Sequence, residues 1–165
     1  MADVFIGSCN VGLGLFAARA FGAGERILDF EGPERSDPRD GSPAECNLLQ
    51  LDVGRYMLPN PPGLFVNHSC APNAALVGGL SLVATRPIAA YEEVRFDYST
   101  SMLEDPWQME CACGEPGCRG VVEEFGLLPR DDQRRFLAAG HVPDFIAERY
   151  ARARHEDPAI AVGAW

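Results

Sequence analysis

Three cysteines crowd into eight residues of this chain and cannot complete a metal site without a ligand from a distant segment. Cys111, Cys113 and Cys118 lie in the run C-A-C-G-E-P-G-C. A structural zinc ion takes four thiolate or imidazole ligands in a tetrahedron, so one more must come from elsewhere. Cys70, in N-H-S-C-A-P-N, is the best candidate, and His68 is the alternative to Cys70. The spacing therefore predicts one structural Zn²⁺ that ties together two segments far apart in the chain.

Length and composition fit a single folded unit in a reducing compartment. The chain has 165 residues, of which 47% are hydrophobic, which is enough for one core. Cysteines at metal-ligand spacing favour metal binding over a disulfide framework, and we expect Cys9 and Cys46 to be free thiols.

The start M-A-D-V resembles no signal peptide, and no apolar run is long enough to span a bilayer. We expect a soluble intracellular protein with no membrane partner, nuclear in a eukaryote and cytoplasmic in a prokaryote.

The charged residues are unevenly distributed along the chain. The formal net charge is −10, every basic residue is an arginine, and the whole excess of carboxylates lies before residue 129. An acidic surface disfavours general phosphate binding and suits a basic peptide or protein, although solubility alone would explain the charge equally well. We expect a basic protein or peptide partner and no direct nucleic-acid binding.

The hydrophobic pattern changes along the chain from the period of strands to that of helices. Short apolar runs between turn residues predict strands over 4–6, 15–17, 26–30, 48–53, 56–58, 80–84 and 94–98. Residues 32–45 are polar, contain Pro and Gly, and predict a loop. Near the C-terminus the pattern predicts a helix over 130–139, closed by Gly140, and a second helix from about residue 143. The pattern favours a mainly β chain with short helices, of the α+β class.

Four short motifs follow one another along the chain. They begin at Gly12 (G-L-G-L-F-A), Asn67 (N-H-S-C-A-P-N), Glu92 (E-E-V-R-F-D-Y) and Cys111 (C-x-C-x4-C). Each motif is weak evidence alone. In this order they resemble the SET domain of protein-lysine methyltransferases with its cysteine-rich post-SET tail, over roughly residues 4–122.

The resemblance implies a fold of small curved sheets with a pseudoknot-like core, a post-SET zinc loop and a C-terminal helical tail. We expect a SET domain over residues 1–106, a post-SET zinc-binding segment over 107–122 and a helical extension over 123–165. The family's zinc ligands correspond to cysteines, which gives the expected set Cys70, Cys111, Cys113 and Cys118.

The resemblance also implies a binding site for S-adenosylmethionine. In the family the glycine-containing turn closes over the methionine part of the cofactor, and glycine lets the main chain come close to it. The asparagine side chain contacts the ammonium end, the histidine backbone contacts the adenine, and an apolar residue after the last cysteine forms a wall for the adenine. The expected cofactor-binding residues are Gly12, Leu13, Gly14, Phe30, Asn67, His68, Tyr98 and Val121.

Two aromatic residues are the expected catalytic residues. The Tyr98 hydroxyl would orient the lysine amine and hold the methyl group through weak C–H···O contacts. Phe96 lies two residues earlier, so on a strand both side chains point to the same face. In the family a tyrosine at the position of Phe96 fixes a water that limits methylation, and phenylalanine therefore implies di- or trimethylation. A phenylalanine that only fills the core is the alternative.

Three departures from the family pattern leave a second function open. Phe30 replaces a tyrosine, Leu64 replaces an arginine, and Tyr91 stands where the turn before Glu92 favours glycine. The resemblance implies an S-adenosylmethionine-dependent protein-lysine N-methyltransferase that acts on a lysine in a basic, histone-like segment. The alternative is a weakly active or inactive SET-fold zinc module that binds peptides or serves as a scaffold.

Overall fold

Twelve short strands, two α-helices and several short 3-10 helices make up the computed structural model within the residues it describes, which are 2–36, 47–103 and 108–156. The strands are β1 (Val4–Cys9), β2 (Gly12–Ala17), β3 (Arg26–Asp29), β4 (Glu34–Arg35), β5 (Leu49–Asp52), β6 (Arg55–Met57), β7 (Asn67–His68), β8 (Ala74–Val77), β9 (Ser81–Ala84), β10 (Arg95–Phe96), β11 (Gln108–Glu110) and β12 (Val121–Glu123). The helices are α1 (Arg130–Ala139) and α2 (Asp144–Glu156). The predicted fold class, mainly β with short helices near the C-terminus, is confirmed.

The strands pair in several small sheets and not in one large one. β1 and β2 form a hairpin, as do β11 and β12, while β3-β9-β8 and β4-β6-β5 are three-stranded sheets. All of these neighbours are antiparallel. Pairs and triplets of short strands are marginal alone, so the fold depends on the apolar contacts between the sheets.

A parallel pair joins β7 to β10 and brings two motifs together. Asn67 aligns with Arg95 and His68 with Phe96, and the pairing continues with the Ser69 N–H, which donates to the Phe96 carbonyl at 3.0 Å. Parallel strands need a long connection between them, and here β8, β9 and their loops supply it. The two motifs that begin at Asn67 and Glu92 therefore share one location.

The core lies where the sheets meet. Leu15 and Ala17 of β2 and Leu82 of β9 are fully buried. Because side chains alternate along a strand, Phe16 points to the opposite face of β2, where its ring stacks on that of Phe5 with centroids 5.6 Å apart. Burying one such leucine contributes about 2 kcal/mol, and the cluster to which these residues belong runs from Leu15 to Phe96.

The two helices build a second apolar cluster, and their predicted positions are confirmed. α1 begins directly after Pro129, carries two aspartates in its first turn, where the helix dipole favours negative charge, and ends at Gly140 with φ 65°. The Asp144 N–H donates to the Gly78 carbonyl at 2.7 Å and attaches α2 to the β8–β9 turn. The cluster contains Phe125, Leu128, Phe136, Val142 and Ile146. Neither helix is long and apolar enough to cross a membrane within the described ranges.

Several sequence-based assignments need correction. The strand predicted over 94–98 ends at Phe96, and Tyr98 begins a 3-10 helix, Tyr98–Ser101. The Asp97 side chain caps this helix by accepting the Ser99 N–H. The loop predicted over 32–45 contains the two-residue strand β4, and residues 37–46, including Cys46, lie outside the described residues. Strands β7, β8, β11 and β12 were not predicted.

Candidate active site and metal centre

A small cavity lies beside the parallel pair. Its volume is about 40 Å³. A single water needs about 10–15 Å³ of such space, so the cavity has room for a few atoms and not for a whole ligand. Its walls include Phe30, Leu64, Val66, Phe96, Tyr98 and Met102. The structure thus brings both predicted catalytic residues to one cavity, with Phe30 beside them.

Three aromatic rings form one wall of this cavity. The Phe96 ring is buried, and its centroid lies 5.0 Å from that of Tyr98 and 6.0 Å from that of Phe30. The two expected catalytic side chains are neighbours although they do not share a strand. The reasoning from strand alternation was therefore wrong in its premise, since Tyr98 already belongs to the 3-10 helix.

The Tyr98 hydroxyl has a fixed donor direction. It donates to the Val66 carbonyl at 2.8 Å, so its remaining capacity is as an acceptor. Burial and the nearby Glu93 carboxylate raise the pKa of Tyr98 well above its usual range. The phenol stays neutral at physiological pH and offers its lone pairs to a donor that enters the cavity.

The glycine-containing turn touches the same region through Asn67. The Asn67 amide Nδ2 donates to the Leu13 carbonyl at 3.0 Å and to Glu93 Oε1 at 2.8 Å, and it lies 3.4 Å from Cys9 Sγ. A Cβ on Gly14 would collide with Glu93 Oε1 and lie 3.0 Å from Asn67 Nδ2. The backbone at position 14 therefore lies directly against these side chains, and a larger residue there would have to displace the Glu93 carboxylate.

The buried His68 ring stands between the aromatic cavity and the cysteines. Its Nδ1 accepts the Tyr98 backbone N–H at 3.2 Å, and its Nε2 lies 3.3 Å from Cys70 Sγ. Burial lowers the pKa of His68 to about 4, although the Asp97 carboxylate 3.5 Å away opposes this shift. The ring is thus neutral at physiological pH.

Three of the four predicted metal ligands converge, together with His68. Because Zn–S bonds are about 2.3 Å long, sulfur atoms of a tetrahedral zinc site lie about 3.8 Å apart, and Cys70 Sγ and Cys111 Sγ are separated by 3.7 Å. The ligand atoms of these two cysteines, Cys113 and His68 all lie within 4.8 Å of one another. The donor set and its spacing fit a zinc ion.

Cys118 lies at the edge of this cluster. Its Sγ donates to the Cys111 carbonyl at 3.8 Å and accepts the Gly120 N–H at 3.4 Å. It also interacts with the Cys111 and Cys113 thiols and contributes to the shifts of both pKa values. Burial raises the pKa of Cys113, but hydrogen bonds from the backbone N–H groups of Cys70 and Glu115 outweigh burial and lower it to about 7. The cluster thus offers five donors where a tetrahedral ion needs four.

Two ion pairs fasten the cysteine-rich segment (residues 108–123) to the sheets. Arg119 of the segment makes a bidentate pair with the buried Asp97, with both N···O distances 2.7 Å. In the opposite direction, Arg95 of β10 reaches Glu115 at 2.6 Å and the Cys113 carbonyl at 3.2 Å. Charge-assisted bidentate pairs are among the stronger hydrogen bonds, so the segment is held by protein contacts as well as by any metal.

Sequence reasoning missed this pair of contacts. The motifs suggested no role for Asp97 or Glu93, yet the Asp97 carboxylate is buried and Glu93 Oε1 accepts a hydrogen bond from the Asn67 amide. Arg119 directly follows Cys118 and Arg95 lies two residues before Asp97, but neither position indicates a partner. Val121, predicted to contact adenine, lies on β12 with its side chain partly exposed.

The fold and the order of the motifs agree with a match to a known family. A model of the SET domain matches residues 12–99, which is just over half of the chain. This protein belongs to the SET-domain family, as the four motifs predicted.

Named relatives extend the comparison. The chain is 29% identical over 133 residues to the histone H3-lysine(4) N-trimethyltransferase ATX1 of Arabidopsis thaliana, covering 68% of this chain and 12% of the relative. It is 43% identical over 65 residues to the histone-lysine N-methyltransferase ash1 of Drosophila melanogaster, covering 35% of this chain and 3% of the relative. The chain thus spans only a small part of these relatives.

A solved structure has a similar fold. KRYPTONITE, crystallised with mCHH DNA, an H3(1-15) peptide and SAH, matches with a TM-score of 0.56 and 19% sequence identity. The match covers 74% of this chain and 30% of that chain. At this identity the likeness establishes the SET-type arrangement of small sheets.

Proposed function

We propose that this protein is an S-adenosylmethionine-dependent protein-lysine N-methyltransferase. The observation that carries the proposal is the parallel pairing of β7 and β10 in a chain of the SET family. This pairing places Asn67 and His68 beside the segment that ends in Tyr98. Relatives named as histone-lysine methyltransferases support the same activity.

The cofactor would lie against the glycine-containing turn. Gly12, Leu13 and Gly14 would contact it with Asn67 and His68, and Phe30, Tyr98 and Val121 complete the predicted set. One observation supports the fit: the Glu93 carboxylate that lies against Gly14 favours a cationic ammonium group. S-adenosylmethionine, when bound, supplies a methyl group on a sulfonium sulfur.

Tyr98 would orient the substrate amine. Its hydroxyl donates to Val66, and its lone pairs can then accept an N–H of the amine or a C–H of the methyl group. A free lysine has a pKa of about 10.4, and the apolar walls of the cavity lower it by disfavouring the ammonium form. The neutral amine can then attack the methyl group. The residues that line the cavity have only to position the amine, and no strong base is needed.

Phe96 would set how many methyl groups the lysine receives. Its side chain has no hydroxyl to fix a water molecule in the cavity that it shares with Tyr98. The space is then free for further methyl groups, which favours di- or trimethylation.

One structural zinc ion is proposed at Cys70, Cys111, Cys113 and Cys118. The 3.7 Å between Cys70 Sγ and Cys111 Sγ and the nearby Cys113 thiol support three of these ligands, whereas Cys118 lies at the edge of the cluster and His68 within it. Thiolate ligation contributes directly to folding, so a chelator should release the cysteine-rich segment and weaken cofactor binding. Metal analysis of protein purified without chelator should find one zinc per chain, and protein that folds free of zinc would sink this part of the proposal.

The proposed substrate is a lysine in a basic, histone-like segment. The net charge of −10 supports attraction of a cationic peptide. The solved neighbour contains an H3 peptide and DNA, so the absence of direct nucleic-acid binding stays a prediction, to be checked by titrating the protein with duplex DNA.

A SET-fold module without activity is the second candidate. The observation that favours it is the set of departures at Phe30, Leu64 and Tyr91, since two of these residues line the cavity. Thermal unfolding with and without S-adenosylmethionine separates the candidates, because a ligand that binds the native state raises the melting temperature. A methyltransferase should show a shift that saturates with cofactor, whereas no shift at any concentration favours the scaffold.

A further inference from the structure

Both ring nitrogens of His68 have partners, on opposite sides of the ring. The Tyr98 backbone N–H lies 3.2 Å from Nδ1, and Cys70 Sγ lies 3.3 Å from Nε2. The cofactor contact proposed for this residue uses its backbone and leaves the side chain without a role. The ring is buried, so these partners are the groups that determine its state.

The direction of one hydrogen bond fixes the direction of the other. A backbone N–H can only donate, so Nδ1 must present its lone pair to Tyr98. An imidazole ring keeps at least one proton, and with a lone pair on Nδ1 that proton has only Nε2 to occupy. The proton is therefore on Nε2 and points at the Cys70 sulfur.

We propose that the His68 side chain is a positioning residue that links the metal centre to Tyr98. It accepts the Tyr98 backbone N–H and donates Nε2–H to the Cys70 sulfur, so metal binding and the placement of the tyrosine are coupled through one ring. The inference rests on the proposed zinc site.

This arrangement also selects among the five donors of the cluster. If His68 bound the metal through Nε2, its proton would have to move to Nδ1, where it would face the Tyr98 N–H and leave that donor without its acceptor. Asp97 Oδ1, the other group near Nδ1, is 3.5 Å away and already accepts from Ser99 and Arg119. The ligands are then the four sulfurs, and Cys118 completes the tetrahedron.

The first test reads the tautomer directly. We would label the zinc-loaded full-length protein with ¹⁵N and record long-range imidazole correlations at neutral pH, assigning His68 by the signals that disappear in His68→Gln. The proposal expects a protonated Nε2 and an unprotonated Nδ1. A protonated Nδ1 would overturn it, because that tautomer belongs to a histidine that binds the metal through Nε2.

The second test uses two amides that each keep one of the two bonds. The amide of His68→Gln reaches the position of Nε2 and keeps the donor to Cys70, whereas the amide of His68→Asn reaches only the position of Nδ1 and keeps the acceptor for Tyr98. Competition with a zinc-binding dye should show zinc affinity about tenfold or more lower in His68→Asn than in His68→Gln. Turnover per zinc-loaded molecule should show the opposite order, mainly in kcat.

Equal losses in both variants would mean that His68 only fills space, and would overturn the coupling. If wild-type protein bound no zinc, the metal centre itself would fail, and this outcome is visible before any variant is made.

Discussion

Tyr98 offers acceptor lone pairs to the cavity because its only hydroxyl hydrogen is committed to Val66. Tyr98→Phe removes that acceptor and keeps the ring that packs on Phe96 and His68. We expect turnover to fall roughly 100-fold, as for the loss of one preorganised polar group. Cofactor affinity should change little, because the hydroxyl acts on the transition state, while the loss of its hydrogen bond to the Val66 carbonyl should cost about 1 kcal/mol of stability. Single-turnover kinetics would measure this, and activity within a few-fold of wild type would reduce Tyr98 to a packing residue.

Phe96→Tyr tests control of the methylation state. The new hydroxyl would order a water in a cavity of about 40 Å³ and occupy the space of a second or third methyl group. We expect products to shift towards monomethyl-lysine, as resolved by mass spectrometry of the peptide over time. Phe96→Leu is the control, since it adds no hydroxyl. An unchanged product distribution in Phe96→Tyr would show that Phe96 does not face the amine.

Tyr91 has a backbone conformation that suits glycine, as its position in the motif predicted. Its φ is 67°, and its exposed ring packs edge-on against Phe5 with centroids 6.1 Å apart. Tyr91→Ala loses the ring but keeps the Cβ, whereas Tyr91→Gly loses both. Because a left-handed residue with a Cβ costs about 1–2 kcal/mol, Tyr91→Gly should be more stable than Tyr91→Ala by about 1 kcal/mol. Urea unfolding measures the difference, and equal stabilities would mean that this turn relaxes.

Some residues of the site were predicted from the sequence and others were missed. The two groups differ in whether a sequence motif marks them. Tyr98, Asn67 and Cys70 lie in motifs whose chemistry is visible in their order along the chain. Asp97 and Arg119 become recognisable only when folding brings them within 2.7 Å of each other. The sequence gives no sign of this pairing, because each charge alone is typical of an exposed loop.

The helices were predictable from the sequence, whereas the pairing of the shortest strands was not. α1 is ten residues long and has a clear period with a glycine end, so its bounds followed from the sequence. β7 and β10 have two residues each, and their parallel pairing depends on tertiary packing and not on local pattern. The predicted division into residues 1–106, 107–122 and 123–165 stays a prediction.

The attachment of the cysteine-rich segment can be tested through its two ion pairs. Arg119→Gln leaves the buried Asp97 carboxylate without its cation, and we expect a loss of roughly 3 kcal/mol in the free energy of unfolding. Arg95→Gln is the matched control, because Arg95 and Glu115 keep about a quarter and a fifth of their side chains exposed, and its loss should be about 1 kcal/mol. Denaturant unfolding of zinc-loaded protein gives both values. Equal effects would contradict the view that the Asp97 pair dominates.

For the whole molecule, the acidic charge should speed the capture of basic substrates. The net charge of −10 lies entirely before residue 129, and salt screens exposed charges beyond about 10 Å at 0.1 M. We expect kcat/KM on a basic peptide to fall as ionic strength rises, mainly through KM, and to change little on a neutral peptide with the same target lysine. Salt-independent kinetics on the basic peptide would show that the charge serves solubility.

The central claim is transfer of a methyl group from S-adenosylmethionine to a protein lysine. We would incubate zinc-loaded protein with methyl-labelled S-adenosylmethionine and either a basic, lysine-containing histone-like peptide or the same peptide with every lysine replaced by arginine. The enzyme has no lysine of its own, so label on lysine can only be on the substrate. We predict label on the lysine peptide alone, strongly reduced with Tyr98→Phe. The absence of label from every basic lysine peptide at saturating cofactor, or equal label on the arginine peptide, would contradict the account.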